Sequence, residues 1–228
     1  MRFLIIFIFL ISNSFADETI EINNLVIYDK LKKYDAITFL DAENNELNLN
    51  DYFAENNMTY KPRYVEGNKE AKSKLFGGEC DVFTTDASGL ASARSGAEDP
   101  SKWVVLPEII SKEPLGPLVR QGDQEWEDVV RWTHFVMVNA EEVGITSRNV
   151  DDMLTAKSKE VKRILGVEGY IGPMLGLGMK FGYNIIKEVG NYGESYERNV
   201  GPNTPLALER GLNKLWKDGG VMYVPPIR

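Results

Sequence analysis

Apolar positions along the chain change their spacing near residue 122. Before it, short apolar runs alternate with charged, helix-like stretches; after it, apolar residues recur almost entirely at helical spacing. In the first region Ala36 to Leu40 (AITFL), Tyr60 to Val65, Asp81 to Thr84 (DVFT) and Trp103 to Leu106 read as strands, the last ended by Pro107. Between them, Leu47 to Asn56 places Leu49, Tyr52 and Phe53 on one helical face. Asn68 to Phe76 predicts a charged helix stopped by Gly77 and Gly78, and Ala87 to Arg94 a short one. Strand and helix in turn, with crossovers of this length, imply an α/β unit built on a mostly parallel sheet.

Gly116 to Arg120 is one more extended run. Asp123 then caps a long helix whose Trp126, Val129, Val130, Thr133, Met137 and Val138 share a face. Helices are expected at Asn149 to Leu154, Ser158 to Leu165, Phe181 to Val189 and Tyr196 to Val200. A last one runs from Leu206 to Trp216 and is closed by Gly219 and Gly220. Nothing after residue 122 supplies a sheet for these helices to pack against.

The N-terminus has a different character. Arg2 precedes the apolar run Phe3 to Ile11 (FLIIFIFLI), and Ser14-Phe15-Ala16 follows. This is the three-part pattern of a secretory signal, with an apolar stretch well short of the ~20 residues that span a membrane. Cleavage is expected after Ala16, releasing an exported chain with no further membrane insertion. A buried N-terminal strand or helix is the other reading of this run.

Composition narrows the chemistry. With 34 acidic and 26 basic residues, net charge −8 and no dense Lys/Arg run, nucleic acid is a poor partner. One cysteine, Cys80, and one histidine, His134, cannot build a cysteine or histidine metal cluster. His134 sits four residues after Val130 and reads as a core or rim histidine. No GxSxG elbow, HExxH or paired-carboxylate signature is present, so no enzyme activity, metal or cofactor is expected. The glycine-rich stretch Gly172 to Gly182 lacks the order of a nucleotide loop and reads as a flexible connection between helices. Thr84-Thr85-Asp86-Ala87-Ser88 is more informative: it puts a carboxylate where a parallel strand hands over to a helix, the place where open α/β sheets bind ligands. Asp86 as a plain helix cap is the competing reading.

Four long segments carry a resemblance: GGECDVFTTDASGL at 77–90, VVLPEIISKEPLGPLVRQGD at 104–123, RWTHFVMVNAEEVGITSRNVDDML at 131–154, and the whole of 189–228. From Ala36 to Arg228 the chain resembles the C-terminal two-thirds of the periplasmic substrate-binding proteins of general L-amino-acid ABC transporters, the family 3 solute-binding proteins. The resemblance implies the type II periplasmic-binding-protein fold, in which two lobes close around an L-amino acid and deliver it to a membrane permease. On that template, residues 1–16 are the signal and 17–35 a short segment in which Leu25 to Tyr28 is a remnant of the outgoing crossover strand. Residues 36–115 are the complete α/β second lobe. Residues 116–228 are the return crossover and the mainly helical C-terminal part of an N-terminally truncated first lobe, because the nineteen residues 17–35 fall short of the ~30 that one βαβ unit takes.

The resemblance assigns Asp86 to the ligand's α-amino group and brings in Thr85 and Asn44 as ligand-contacting residues. Where relatives carry a Gly-Thr-Thr-Thr-Glu-like loop, this chain has Ala42-Glu43-Asn44-Asn45-Glu46. Glu43 held about 4 Å from a ligand carboxylate, at an effective dielectric near 20, would cost up to ~4 kcal/mol, roughly a thousandfold in affinity. Cys80 matches a position expected to pair with a cysteine where this chain has Thr38. The expectation is therefore a periplasmic amino-acid-binding component with weakened or lost binding. The alternative is a non-binding paralogue that acts as an interaction module or is a remnant.

Overall fold

The computed structural model describes residues 5–9, 19–22, 25–28 and 35–38 as strand backbone, and residues 51–228 apart from 66, 108 and 112–114. Two compact units divide at Leu115/Gly116.

The first unit, Met1–Leu115, is α/β. Its five-stranded sheet has the order β5-β4-β6-β1-β7, with β1 at Ile5–Phe9, β4 at Asp35–Thr38, β5 at Lys61–Tyr64, β6 at Val82–Thr84 and β7 at Ile109–Ser111. β4 runs parallel to both β5 and β6, as the crossover lengths require, and Thr38 stands opposite Tyr64 on one side and Thr84 on the other. β6 is buried at each of its residues, which is why DVFT lacks the alternation of a half-exposed strand. Residues 51–55 are helical (α1). Helix α2 (Asn68–Phe76) buries Ala71 and Leu75, one turn apart, and ends where the Gly77 N–H donates to the Ser73 carbonyl, 2.9 Å. Gly78, at φ +75°, then turns the chain toward β6. Helix α3 (Ala87–Ser95) buries Leu90, Ala91 and Ala93. Ala71, Leu75, Cys80, Phe83, Leu90 and Ala93 form this unit's core. Burying Phe83 and Leu75 contributes about 1.5–3 kcal/mol each.

Several expectations are corrected here. Trp103 to Leu106 is not a strand and belongs to no ladder; Trp103 and Val105 pack on the core while Val104 is exposed. The apolar run that suggested a strand is held by packing on the core and not by a ladder. Leu25–Tyr28 (β3) lies outside the main sheet and forms a hairpin with Thr19–Ile22 (β2), which only two residues separate from it. Ile5–Phe9 is a strand in the uncleaved chain, as the propensity of an Ile/Phe run allows, and this leaves the composition of a secretory signal as it stands. It is antiparallel to β6, with Phe7 opposite Thr84, and to β7. Thr38 is not placed beside Cys80: its partner Thr84 lies four residues on, about 13 Å along a strand, against a Cα limit near 7 Å for a disulfide.

The second unit, Gly116–Arg228, is helical: α4 (Gln124–Glu142), α5 (Val150–Met153), α6 (Lys159–Ile164), α7 (Ile171–Met174), α8 (Phe181–Val189) and α9 (Tyr192–Asn199). Asp123 caps α4 by accepting from the Trp126 N–H at 3.1 Å. These helices pack on one another without a sheet. α4 lies against α6, α8 and α9, and Val136, Ala140, Ile145, Ile164, Leu165 and Ile186 are fully buried between them. The buried face of α4 is accordingly its C-terminal half, Val136, Val138, Asn139 and Ala140, while Trp126 is 54% exposed.

The Gly172 to Gly182 stretch is a site of close backbone approach rather than a slack connection. A Cβ on Gly182 would fall 1.8 Å from the Ile164 carbonyl oxygen, so α8 can lie this near α6 only with glycine there. Helix α9 starts at Tyr192, four residues earlier than expected, because Asn191 and Glu194 form a capping box. Leu206 to Trp216 is not an α-helix; it holds one short 3-10 turn, Gly211–Asn213, and a second, Trp216–Asp218, starts at its last residue. Ala207 and Gly211 have φ of 49° and 47°. The Leu208 N–H donates to the Val200 carbonyl, and the Tyr196 hydroxyl to the Glu209 carbonyl, so this backbone is tied to α9 instead of to itself.

Candidate functional site

Asp86 stands at the carboxyl end of β6, where the strand's last residue, Thr84, is buried and the next helix begins. Its backbone is extended at φ −59°, ψ 155°, the ordinary conformation of an N-cap. Oδ1 accepts from the Gly89 N–H at 2.8 Å and from the Ser88 hydroxyl. Oδ2 has a longer contact from the Thr85 hydroxyl, 3.4 Å. The carboxylate therefore caps α3 through one oxygen, and its negative charge is favoured by the helix N-terminus. An ammonium group is the ligand that a partly exposed carboxylate in this position would take.

Gly89 is part of the site for a steric reason: a Cβ there would lie 2.8 Å from Oδ2 of Asp86 and 3.0 Å from Cγ2 of Thr85. Ser88 belongs to the run singled out in the sequence, whereas Gly89 does not; the Asp-x-x-Gly spacing from cap to third helical residue is the signal that points to it. Asn44 and Glu43 lie outside the described residues. β4 and β6 are parallel neighbours, so Thr38, the last residue of β4, lies at the same end of the sheet as Thr84.

Other groups fall elsewhere. A cavity of about 250 Å³ is lined by Arg63, Lys74, Glu79 and Cys80, and Cys80 precedes β6 at the opposite end from Asp86. His134 belongs to the second unit. It is half-buried, edge-to-face on Tyr192 with ring centres 5.6 Å apart, and burial pushes its pKa down, as expected of a rim histidine. Among the described residues no three His, Cys, Asp or Glu side chains are placed to hold a metal, and no helix is long and apolar enough to cross a membrane.

No family model matches the chain. It is 50% identical over 195 residues to the general L-amino acid-binding periplasmic protein AapJ of Rhizobium johnstonii, covering 85% of this chain and 57% of that protein. It is 48% identical over 184 residues to the glutamate/glutamine/aspartate/asparagine-binding protein BztA of Rhodobacter capsulatus, covering 80% of this chain and 54% of that one. Among solved structures it is similar to an ABC transporter periplasmic binding protein from Brucella ovis with glutathione bound. The TM-score is 0.78 at 46% identity, over 87% of this chain and 62% of the other. The chain thus spans a little over half the length of the curated relatives it matches.

Proposed function

Because the chain belongs, over the part that aligns, to the family of periplasmic amino-acid-binding proteins of ABC transporters, we propose that it is the extracytoplasmic L-amino-acid-binding component of such a transporter, with weakened binding. The observation that supports this reading is the Asp86 carboxylate at the carboxyl end of β6, flanked by Thr85 and seated where an open α/β sheet receives a ligand. Asp86 would hold the α-ammonium group, Thr85 would offer its hydroxyl, and Asn44 would donate to the α-carboxylate. Weakening is ascribed to Glu43, whose charge opposes a carboxylate in the same neighbourhood. A membrane permease is the partner to which the amino acid would pass, in the periplasm, after export and cleavage behind Ala16.

A second reading is supported by one feature of the site. Oδ1 of Asp86 is already engaged by the Gly89 N–H and the Ser88 hydroxyl, as it would be in a protein that keeps the residue only as a cap. Such a chain would bind no amino acid and act as an interaction module. Calorimetric titration of the purified protein with a panel of L-amino acids separates the two: saturable heat supports the binding component, and silence across the panel supports the module. N-terminal sequencing of the protein from an expressing bacterium's periplasm should begin at Asp17; a start at Met1 would refute the export signal.

A further inference from the structure

The segment from Gly166 to Lys180, which leaves α6 and returns as α8, is closed on itself at two points. A Cβ on Gly166 would fall 1.7 Å from the Met179 carbonyl oxygen, and one on Gly172 2.1 Å from that of Gly178. The Leu177 N–H also donates to the Gly172 carbonyl, 2.8 Å. This is a compact loop with its ends together. The single turn of α7 sorts its side chains: Ile171 and Leu175 pack on the helical core, while Tyr170 and Met174 are 71% and 81% exposed. Leu177 is exposed as well. A firmly tied loop therefore presents large apolar groups outward.

The charge around this tip departs from that of the chain. Residues 157–180 carry five Lys/Arg and two Glu, net +3, within a protein of net −8. Glu168 is paired with Lys162 at 2.9 Å. Arg163 lies along the loop, its Cγ 3.6 Å from where a Gly169 Cβ would be, and Lys180 closes the loop. An acidic surface alone would match the cations and leave Tyr170 and Met174 in water. An apolar surface alone would leave the cations unmatched. The headgroup region of an anionic bilayer takes both, apolar side chains into the acyl boundary and cations at the phosphates.

We infer that the loop 167–179 is a docking tip for an anionic membrane surface, by adsorption rather than by a span. The inference relies on the transport reading only for where the chain would meet such a surface. The test is co-sedimentation of the full chain with phosphatidylcholine vesicles, with and without about one-third phosphatidylglycerol. Each cation near an anionic surface strengthens binding about fivefold, so binding to the anionic vesicles should be at least roughly tenfold stronger, and should be lost near 0.5 M salt, where charges are screened within ~4 Å. The double variant Tyr170→Asp, Met174→Asp should fall at least tenfold with unchanged thermal unfolding, because both residues are exposed. No vesicle binding, equal binding to neutral vesicles, or an unaffected double variant each overturns the inference; the last would place any lipid contact elsewhere in the chain. Titrating the same variant with amino acids keeps the two readings apart, since its response should equal the parent's whichever way that titration goes.

Discussion

Replacing Asp86 by asparagine separates its two roles. Asparagine caps helices about as well as aspartate, and its Oδ1 can accept from the Gly89 N–H as the carboxylate does at 2.8 Å. Stability to urea should therefore change by less than about 0.5 kcal/mol. Asp86→Ala removes the cap as well and should cost about 1 kcal/mol, within a usual range of roughly 0.5–2. Binding should respond differently. A carboxylate and an ammonium group about 4 Å apart attract by ~1 kcal/mol in water and ~4 kcal/mol at an effective dielectric of 20. Asp86 is partly exposed, so the loss should fall between about fivefold and a thousandfold, and should be the same in both variants. Paired calorimetric titrations and urea melts of parent, Asp86→Asn and Asp86→Ala measure both quantities. If Asp86→Asn binds an amino acid within twofold of a binding parent, the carboxylate does not hold the ligand. If the parent binds nothing while only Asp86→Ala is destabilised, the residue is a cap and the interaction-module reading stands.

Gly89→Ala should weaken any amino-acid binding without unfolding the protein, because the added methyl displaces the carboxylate from 2.8 Å away; unchanged titration heats would contradict this. Gly182→Ala should destabilise the protein by about 1–3 kcal/mol or more, since its methyl meets the Ile164 carbonyl at 1.8 Å and α8 must move off α6; a urea midpoint equal to the parent's would refute the close packing. Burial pushes the Glu194 carboxyl up, but the N–H of Asn191, the hydroxyl and N–H of Ser147, and nearby Arg148 together hold it below its ordinary 4.5. A depressed folded pKa contributes stability that is fully present above 4.5 and is lost as pH falls through the folded value. Glu194→Gln should thus be less stable than the parent at pH 7, by about 1–3 kcal/mol, and should show a shallower fall in stability over the acid interval below its ordinary 4.5. Parallel melts with the same slope in that interval would refute it.

The parts of the fold legible in the sequence are those where local signals and packing agree. Helices α2 and α3 begin and end within a residue of where Gly77 and Asp86 place them, because a stop and a cap act through neighbouring backbone. The face read for α4 holds toward its C-terminus, where Met137 packs on the core and Val138 is buried, and fails at the exposed Trp126, because periodicity says which positions align and not where along nineteen residues the partners stand. The N-terminus of α9 was readable and overlooked, since Asn191-x-x-Glu194 is a capping box in plain letters. Leu206 to Trp216 was not readable. Its apolar spacing suits a helix, but the bonds to Val200 and from Tyr196 that hold it open come from another element. At the site, Asp86 was visible by type and position. That Gly89 leaves room for its carboxylate is a matter of 2.8 Å, at which the Asp-x-x-Gly spacing hints without giving the distance.

The position of β1 bears on the order of events in the life of the chain. It lies inside the sheet, hydrogen-bonded to β6 on one side and β7 on the other. A cut anywhere between Phe9 and Thr19 would therefore not trim an edge. Once the released piece left, β7 would be parted from the parallel trio β5-β4-β6, and two rows of amide and carbonyl groups would lose their partners together. If such a cut is made, its timing decides the sheet: a chain cut before the ladder closes would fold without β1, and one cut afterwards would lose a strand from the middle of the sheet.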